Sequence, residues 1–308
     1  MTRYAPRELA EVLKDGLLSF PVTPFDEQLA LDEAKLREHL EWQSSYDIGG
    51  LFVAGGTGEG FSLTLQESER VVRTAVATVR DGVPVLGSAT GSTAQAVEFA
   101  KMAEAAGADG LLLMPPYLTE TTQEGLRAHV AAVLEATSLG VILYNRANGI
   151  YSAETVASLA QAYPNLIGFK DGIGNFEHLA RVTAANGDRL FYLGGLPTAE
   201  TYALPLLQMG MSTYSSAMFN FVPEFALEFY RDVRALNTDA VHAKIKDFVL
   251  PYLDIRDRGN GYGVSIVKAG LRSVGRNPGP VRPPLRDLSA QEQQTLDALV
   301  ASVAPAAV

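Results

Sequence analysis

The chain has 308 residues, of which 47% are hydrophobic and 19% charged, proportions typical of a globular protein with a large core. A formal net charge of −10 argues against nucleic acid as a partner, and the absence of cysteine excludes disulfides, thiol nucleophiles and thiolate metal ligands. No apolar run approaches the roughly 18 residues of a membrane span, and the N-terminus lacks the apolar segment of a signal peptide, so we expect a cytoplasmic protein without a membrane partner.

Short apolar runs alternate with longer helix-like stretches up to about residue 222, and successive runs begin 22 to 34 residues apart. Eight such units predict an α/β fold, a (β/α)8 TIM barrel, rather than an open doubly wound sheet, because eight evenly spaced units favour closure. Pro21 is expected to mark the end of the first strand, because proline lacks the N–H that a strand ladder needs. The predicted strands are 17–22, 51–54, 85–89, 111–114, 141–144, 166–170, 191–194 and 213–216.

Helix-like segments follow the eighth strand, and a rigid proline-rich connector over residues 275–284 separates the last two of them. We therefore divide the chain into a catalytic barrel, residues 1–222, and a C-terminal helical extension, residues 223–308. The helices predicted in the extension are 223–236, 238–253, 264–274 and 290–303.

Lys170 ends the sixth apolar run, which reads Leu-Ile-Gly-Phe-Lys-Asp. Burial disfavours an ammonium group and lowers its pKa, and a lysine that is neutral near pH 7 forms a Schiff base with a ketone. The alternative is a lysine whose stem is buried while its amine reaches water. The run alone leaves both possibilities open, but the carboxyl end of a strand is where a (β/α)8 barrel carries its active site, and that position favours the nucleophile.

Other unusual residues also follow the predicted strands. The N–H groups of a glycine-rich turn and the Thr57 hydroxyl are suited to an anion. Each residue has an ordinary alternative, such as a tight turn, a core aromatic or a solvated arginine, but their convergence at one face predicts a site. The candidate catalytic residue at this face is Lys170, Tyr144 is either catalytic or a core residue, and the candidate substrate-binding residues are Gly56, Thr57, Gly58, Arg146, Gly194, Ser215 and Asn220.

Metal and nucleotide chemistry is poorly supported by the sequence. The glycines of residues 55–60 match neither the dinucleotide pattern G-x-G-x-x-G nor a P-loop, and no G-x-S-x-G elbow is present. The histidines are far apart and form no H-x-x-x-H pair, so we predict no metal and no cofactor beyond a covalent imine on Lys170. They are read as surface or packing residues: His39, His129, His178 and His242.

The order Gly55-Gly56-Thr57-Gly58-Glu59, Tyr144-Asn145 and Gly168-Phe169-Lys170-Asp171 resembles the dihydrodipicolinate synthase / N-acetylneuraminate lyase superfamily. The resemblance covers nearly the whole chain, including a helical extension at the C-terminus. It implies a (β/α)8 barrel in which Lys170 forms a Schiff base with a 2-oxo acid, Tyr144 is the acid/base and Thr57 binds a carboxylate. It also implies a homotetramer, arranged as a dimer of dimers.

Residues 16–25, 144–146, 262–270 and 279–284 are similar to one branch of that superfamily, the 5-dehydro-4-deoxyglucarate dehydratases. Two departures from the synthases agree with this branch, because Gly56 replaces a second threonine and Leu118 replaces a tyrosine that reaches across the dimer. The resemblance implies a decarboxylating dehydratase of a six-carbon keto-diacid, whose second carboxylate Arg146 could pair bidentately. The alternatives are an aldolase for a related sugar acid and, in a different class, a non-covalent binding protein.

Overall fold

The computed structural model describes residues 3–117 and 120–304, so Leu118 lies outside the described residues. Its strands pair in parallel in the order of the sequence, and a bridge between Leu18 and Ser215 joins the last strand to the first. The predicted (β/α)8 barrel is therefore confirmed. The strands are β1 Leu18–Ser19, β2 Gly50–Phe52, β3 Val85–Gly91, β4 Gly110–Pro116, β5 Gly140–Asn145, β6 Leu166–Asp171, β7 Phe191–Gly194 and β8 Thr213–Tyr214.

The first strand is shorter than the predicted run 17–22, and a distant side chain explains the difference. After Ser19, the Asn220 amide replaces the ladder, because its Nδ2 donates to the Phe20 carbonyl at 3.1 Å and its Oδ1 accepts from the Val22 N–H at 3.0 Å. Pro21, which lacks an N–H, falls within this segment. The chain therefore leaves the sheet early while its backbone groups stay bonded.

Helices follow the strands, and most begin at a serine, threonine, asparagine or aspartate whose side chain accepts from a backbone N–H of the first turn. The predicted helix 238–253 is continuous but contains a π-helical turn at Ile245–Val249, just before Pro251. No helix among the described residues is both long enough and apolar enough to span a membrane. The helices are α1 Pro6–Leu13, α2 Glu33–Ser44, α3 Leu65–Thr78, α4 Thr93–Ala105, α5 Gln123–Glu135, α6 Ala153–Ala162, α7 Phe176–Asn186, α8 Ala203–Gln208, α9 Pro223–Arg234, α10 Thr238–Lys244, α11 Leu250–Arg256, α12 Tyr262–Ser273 and α13 Ala290–Ala301.

Two apolar clusters form the core. Inside the barrel, inward-facing residues such as Leu86, Leu112 and Ile142 pack on Leu9 and Leu13 of α1. Alternate strand residues face the surrounding helices, as expected for a pleated strand. Because α1 packs on this inner cluster, the barrel interior is filled, and a site is left to the carboxyl ends of the strands.

The C-terminal extension packs against the barrel. Phe221 of the barrel stacks on Tyr252 of α11 at 6.0 Å between ring centroids, and within the extension the ring centroids of Phe225 of α9 and Phe248 are 4.6 Å apart. The boundary at residue 222 stays a prediction, since one apolar cluster runs through both parts.

The proline-rich connector is bonded to the end of the barrel where the carboxyl ends of the strands lie. Its Pro278 carbonyl accepts from the Phe25 N–H at 3.0 Å, and its Arg282 pairs with Glu67 of α3 at 2.6 Å. Gly279 has a φ of 76° and lies so close to the Phe25 carbonyl that no side chain could be accommodated there. These contacts hold the extension over the carboxyl ends of the strands.

Candidate active site

A cavity of about 360 Å³ lies at the carboxyl ends of the strands. The extension supplies part of its wall, through Tyr252 and Arg256 of α11 and Gly263 and Val264 of α12. A separate cavity of about 450 Å³ lies between α2 and the connector and contains none of the predicted site residues. The predicted residues that the structure brings together in the first cavity are Gly56, Thr57, Tyr144, Arg146, Lys170 and Ser215.

Lys170 lies near the end of β6 with its side chain only 5% exposed, which excludes an amine that reaches open water. Its Nζ lies 3.7 Å from the ring centroid of Phe20 and 4.5 Å from that of Tyr144, and no described residue accepts a hydrogen bond from it. Burial lowers the pKa of Lys170 well below 10.5, and the charge of Arg146 lowers it further. The amine is therefore disposed to be neutral and nucleophilic.

The carboxylate of Asp171, the next residue, does not form an ion pair with Lys170. Successive side chains of a strand point to opposite faces, and Asp171 accepts hydrogen bonds from Asn145 Nδ2 at 3.0 Å and from the Gly174 N–H at 2.7 Å. Gly195 approaches from β7, and a Cβ at this position would overlap the Lys170 side chain. A glycine is thus needed beside the amine.

Tyr144 on β5 lies opposite Lys170 in the register of the sheet. Its hydroxyl donates to the Gly195 carbonyl at 3.0 Å and accepts from Arg146 Nη1 at 3.1 Å. Burial raises the pKa of Tyr144, and Arg146 opposes that rise, so the phenol stays protonated at neutral pH. It is therefore a proton donor next to the amine.

The turn after β2 contributes Gly56 and Thr57 to the cavity lining. Glu59 N–H donates to Gly56 and Gly60 N–H to Gly55, which closes the turn, but no described residue accepts from the N–H groups of Gly56, Thr57 or Gly58. Such a group of N–H donors binds an anion. Gly58 itself does not line the cavity, and its carbonyl accepts a hydrogen bond from Thr23 Oγ1 at 2.6 Å.

A buried ion pair that the sequence did not reveal supports this turn. Glu59 has a left-handed backbone with a φ of 54°, and its Oε1 lies 2.7 Å from Lys268 Nζ of α12, with both side chains fully buried. Lys268 also donates to the Pro280 carbonyl at 2.7 Å, and Glu59 Oε2 accepts from the Arg282 N–H at 2.9 Å. The available signal was a lysine inside the apolar run of α12, since a lysine buried there needs a partner.

Besides Gly58, two predicted binding residues lie outside the cavity wall. Gly194 ends β7, and its carbonyl accepts from the Ser215 N–H at 3.3 Å. Asn220 is fully buried and, besides its bonds to the first strand segment, accepts from His39 Nε2 at 3.0 Å. Their roles in substrate binding, like those of the residues in the cavity, stay predictions.

Arg256 is a cavity residue that the strand-end pattern could not locate, because it comes from the extension. Its Nη1 donates to Thr198 Oγ1 at 2.6 Å, and its Nε lies 2.8 Å from Asp257 Oδ1. The cavity therefore has two guanidinium groups, Arg146 and Arg256, in addition to the Thr57 turn.

The histidines are engaged away from this cavity. His39 and His129 are buried, and the latter is hydrogen-bonded to Thr93 at 2.9 Å. His178 donates to the Tyr151 carbonyl at 2.7 Å, and His242 is exposed on α10. Over residues 3–117 and 120–304, no three side chains of the metal-binding types cluster as a metal site would need.

Comparison with known proteins agrees with this geometry. The model of the dihydrodipicolinate synthetase family matches residues 13–303. A probable 5-dehydro-4-deoxyglucarate dehydratase of Corynebacterium glutamicum is 67% identical over 302 residues, which cover 98% of this chain and 96% of that protein. A protein of the same name from Pseudarthrobacter chlorophenolicus is 67% identical over 303 residues, covering 98% and 100%. The crystal structure of dihydrodipicolinate synthase from Bacillus clausii matches with a TM-score of 0.87 and 26% identity, covering 96% of this chain and 99% of that one.

Proposed function

The chain belongs to the dihydrodipicolinate synthetase family, and from this premise we propose that it is a Schiff-base-forming, decarboxylating dehydratase. Its substrate is 5-dehydro-4-deoxy-D-glucarate, its products are 2,5-dioxopentanoate, water and CO2, and its place is in glucarate or galactarate catabolism. The observation that carries the proposal is the buried Lys170 amine, which lies in the cavity between two aromatic rings and has no carboxylate partner among the described residues. The name shared by relatives at 67% identity supports the substrate.

Imine formation comes first. The N–H groups of the Thr57 turn and the Thr57 hydroxyl hold the carboxylate next to the ketone. The neutral amine of Lys170 adds to the ketone carbon, and loss of water gives a protonated imine. The Tyr144 hydroxyl protonates the departing oxygen, and such general acid help contributes about 10²–10⁴-fold in rate.

Dehydration and decarboxylation follow from the electron demand of the imine. A base removes a proton from the adjacent CH2, and hydroxide leaves from the next carbon as water; Lys170, Tyr144 and a bound water are the candidate bases. In the conjugated imine, the bond to the far carboxylate breaks, CO2 leaves, and its electron pair moves through the double bonds to nitrogen. Tautomerisation and hydrolysis return the Lys170 amine and release the product.

Product analysis tests this proposal. Incubation with 5-dehydro-4-deoxyglucarate should release one CO2 and one 2,5-dioxopentanoate per substrate consumed. Formation of pyruvate would instead show an aldolase of the same family. Unchanged substrate, together with no mass gained after borohydride treatment, would show a non-covalent binding protein.

We also propose a homotetramer, arranged as a dimer of dimers, and a cytoplasmic location. The described surface exposes apolar side chains suited to subunit contacts, including Ile150, Ile173 and Phe176. Light scattering should give four times the chain mass of 33.0 kDa, and a mass of one chain would contradict the assembly. The absence of cysteine is compatible with the cytoplasm, and the net charge of −10 does not favour nucleic acid.

A further inference from the structure

We propose that Arg256 and Thr198 form a subsite for the second carboxylate of a 2-oxo diacid, on the wall of the cavity that faces the C-terminal extension. The choice of ligand rests on the proposed function, whose substrate carries two carboxylates. The subsite deepens that function by assigning the distal end of the substrate to two residues outside the strand-end set.

The guanidinium of Arg256 is only partly engaged by the protein. Nη1 donates to Thr198 Oγ1 and Nε contacts Asp257, but no described residue accepts a hydrogen bond from Nη2. The side chain is 18% exposed, whereas that of Asp257 is 63% exposed, so water screens the charge of this carboxylate. Free N–H donors remain in a planar group that binds carboxylates bidentately.

Thr198 supplies a second donor beside this guanidinium. Its backbone has a φ of 55°, which is uncommon for a β-branched residue, and such strained positions cluster at functional sites. Its hydroxyl accepts from Arg256, and no described residue accepts the hydroxyl proton. The O–H can therefore donate a hydrogen bond to the same ligand carboxylate that the guanidinium binds.

Arg146 is better suited to the reacting centre than to the distal carboxylate. Its Nη1 donates to the Tyr144 hydroxyl at 3.1 Å, and its charge acts on Lys170. No aspartate or glutamate is among the described residues that line the cavity. With the Thr57 turn holding the first carboxylate, Arg256 and Thr198 remain for the second.

This subsite is expected to act on binding and selectivity rather than on the chemical step. An arginine stabilises the carboxylate before CO2 leaves, so it offers no special advantage to a transition state in which that charge disappears. Loss of Arg256 should therefore raise KM for the diacid more than it lowers kcat.

The test uses two keto acids of equal length, 2-oxoadipate and 2-oxohexanoate, which differ in the distal carboxylate. Each is trapped on Lys170 with borohydride, and the concentration that gives half-maximal labelling is measured by mass spectrometry. Arg256→Gln should raise this concentration about 10–150-fold for 2-oxoadipate, the value of a charge-assisted hydrogen bond, and leave it within about twofold for 2-oxohexanoate. Thr198→Val should give a smaller selective loss, about 2–12-fold.

Matched variants keep the result interpretable. Arg258→Gln removes a nearby arginine whose Nε donates to the Asp254 carbonyl, and it should change neither value. Arg256→Lys keeps the charge without the planar fork and should lose less than Arg256→Gln. If Arg256→Gln does not fold, Arg256→Lys and Thr198→Val carry the test.

Equal losses for both keto acids, or a parent protein without preference for 2-oxoadipate, would overturn the subsite. Trapping requires only the Lys170 amine and a ketone, so the result is independent of dehydration. A parent that prefers 2-oxoadipate but releases no CO2 from 5-dehydro-4-deoxyglucarate would support the subsite and refute the proposed function.

Discussion

Replacing Lys268 with methionine should destabilise the protein by about 3–5 kcal/mol, because it leaves the Glu59 carboxylate buried without its counter-charge. The two charged atoms are 2.7 Å apart, and both side chains are 0% exposed. Burial lowers the pKa of Lys268, and the Glu59 carboxylate offsets part of that effect. Methionine nearly preserves the side-chain volume, so a cavity contributes little.

Urea unfolding at one fixed protein concentration, followed by fluorescence of the single tryptophan, Trp42, measures the loss. The control is Arg73→Met, which breaks an exposed pair with Glu69 at 2.8 Å and should cost less than about 0.5 kcal/mol. Adding Glu59→Gln to Lys268→Met should restore part of the stability, since no charge then stays buried. A Lys268→Met loss no larger than the Arg73→Met loss would refute the reasoning.

Three further outcomes are expected. Tyr144→Phe should lower kcat about 10²–10³-fold in a steady-state assay, because it removes only the oxygen that transfers protons, and a kcat within about twofold of the parent would make Tyr144 a packing residue. Arg146→Gln should raise the pKa of Lys170 and so move the acidic limb of the pH–rate profile for imine trapping to higher pH; an unmoved limb would contradict the coupling. Burial lowers the pKa of His39 from 6.5 to about 4, so the unfolded state binds the proton first and the parent should lose about 3 kcal/mol between pH 6.5 and 4 through this residue. Urea unfolding at the two pH values should not show that loss for His39→Gln. An equal loss in both proteins would show that His39 does not cause it.

Local patterns predicted most of the fold. The strand Phe191–Gly194 has the predicted bounds, because the apolar run that predicts it lies within the strand itself. The first strand was predicted four residues too long, since its ladder bonds are replaced by Asn220, about 200 residues further along the chain. Such a contact leaves no local trace in the sequence.

In the site, too, the sequence located the residues at the strand ends but not those that come from the extension. Lys170, Tyr144 and Thr57 could be placed in one cavity because each lies at or just after the carboxyl end of a barrel strand, and these ends meet at one face. Arg256 and Lys268 come from helices of the extension, and their positions depend on how that extension packs over the barrel. No periodicity in the sequence encodes that packing.

The mass of the peptide that carries Lys170 tests the central claim most directly. After incubation with 5-dehydro-4-deoxyglucarate and borohydride, this peptide should gain the mass of a reduced substrate- or product-derived adduct, and Lys170→Arg should gain none while remaining folded. A label on another lysine, such as Lys268, or release of CO2 by the Lys170→Arg variant at the parent rate, would contradict the Schiff-base account.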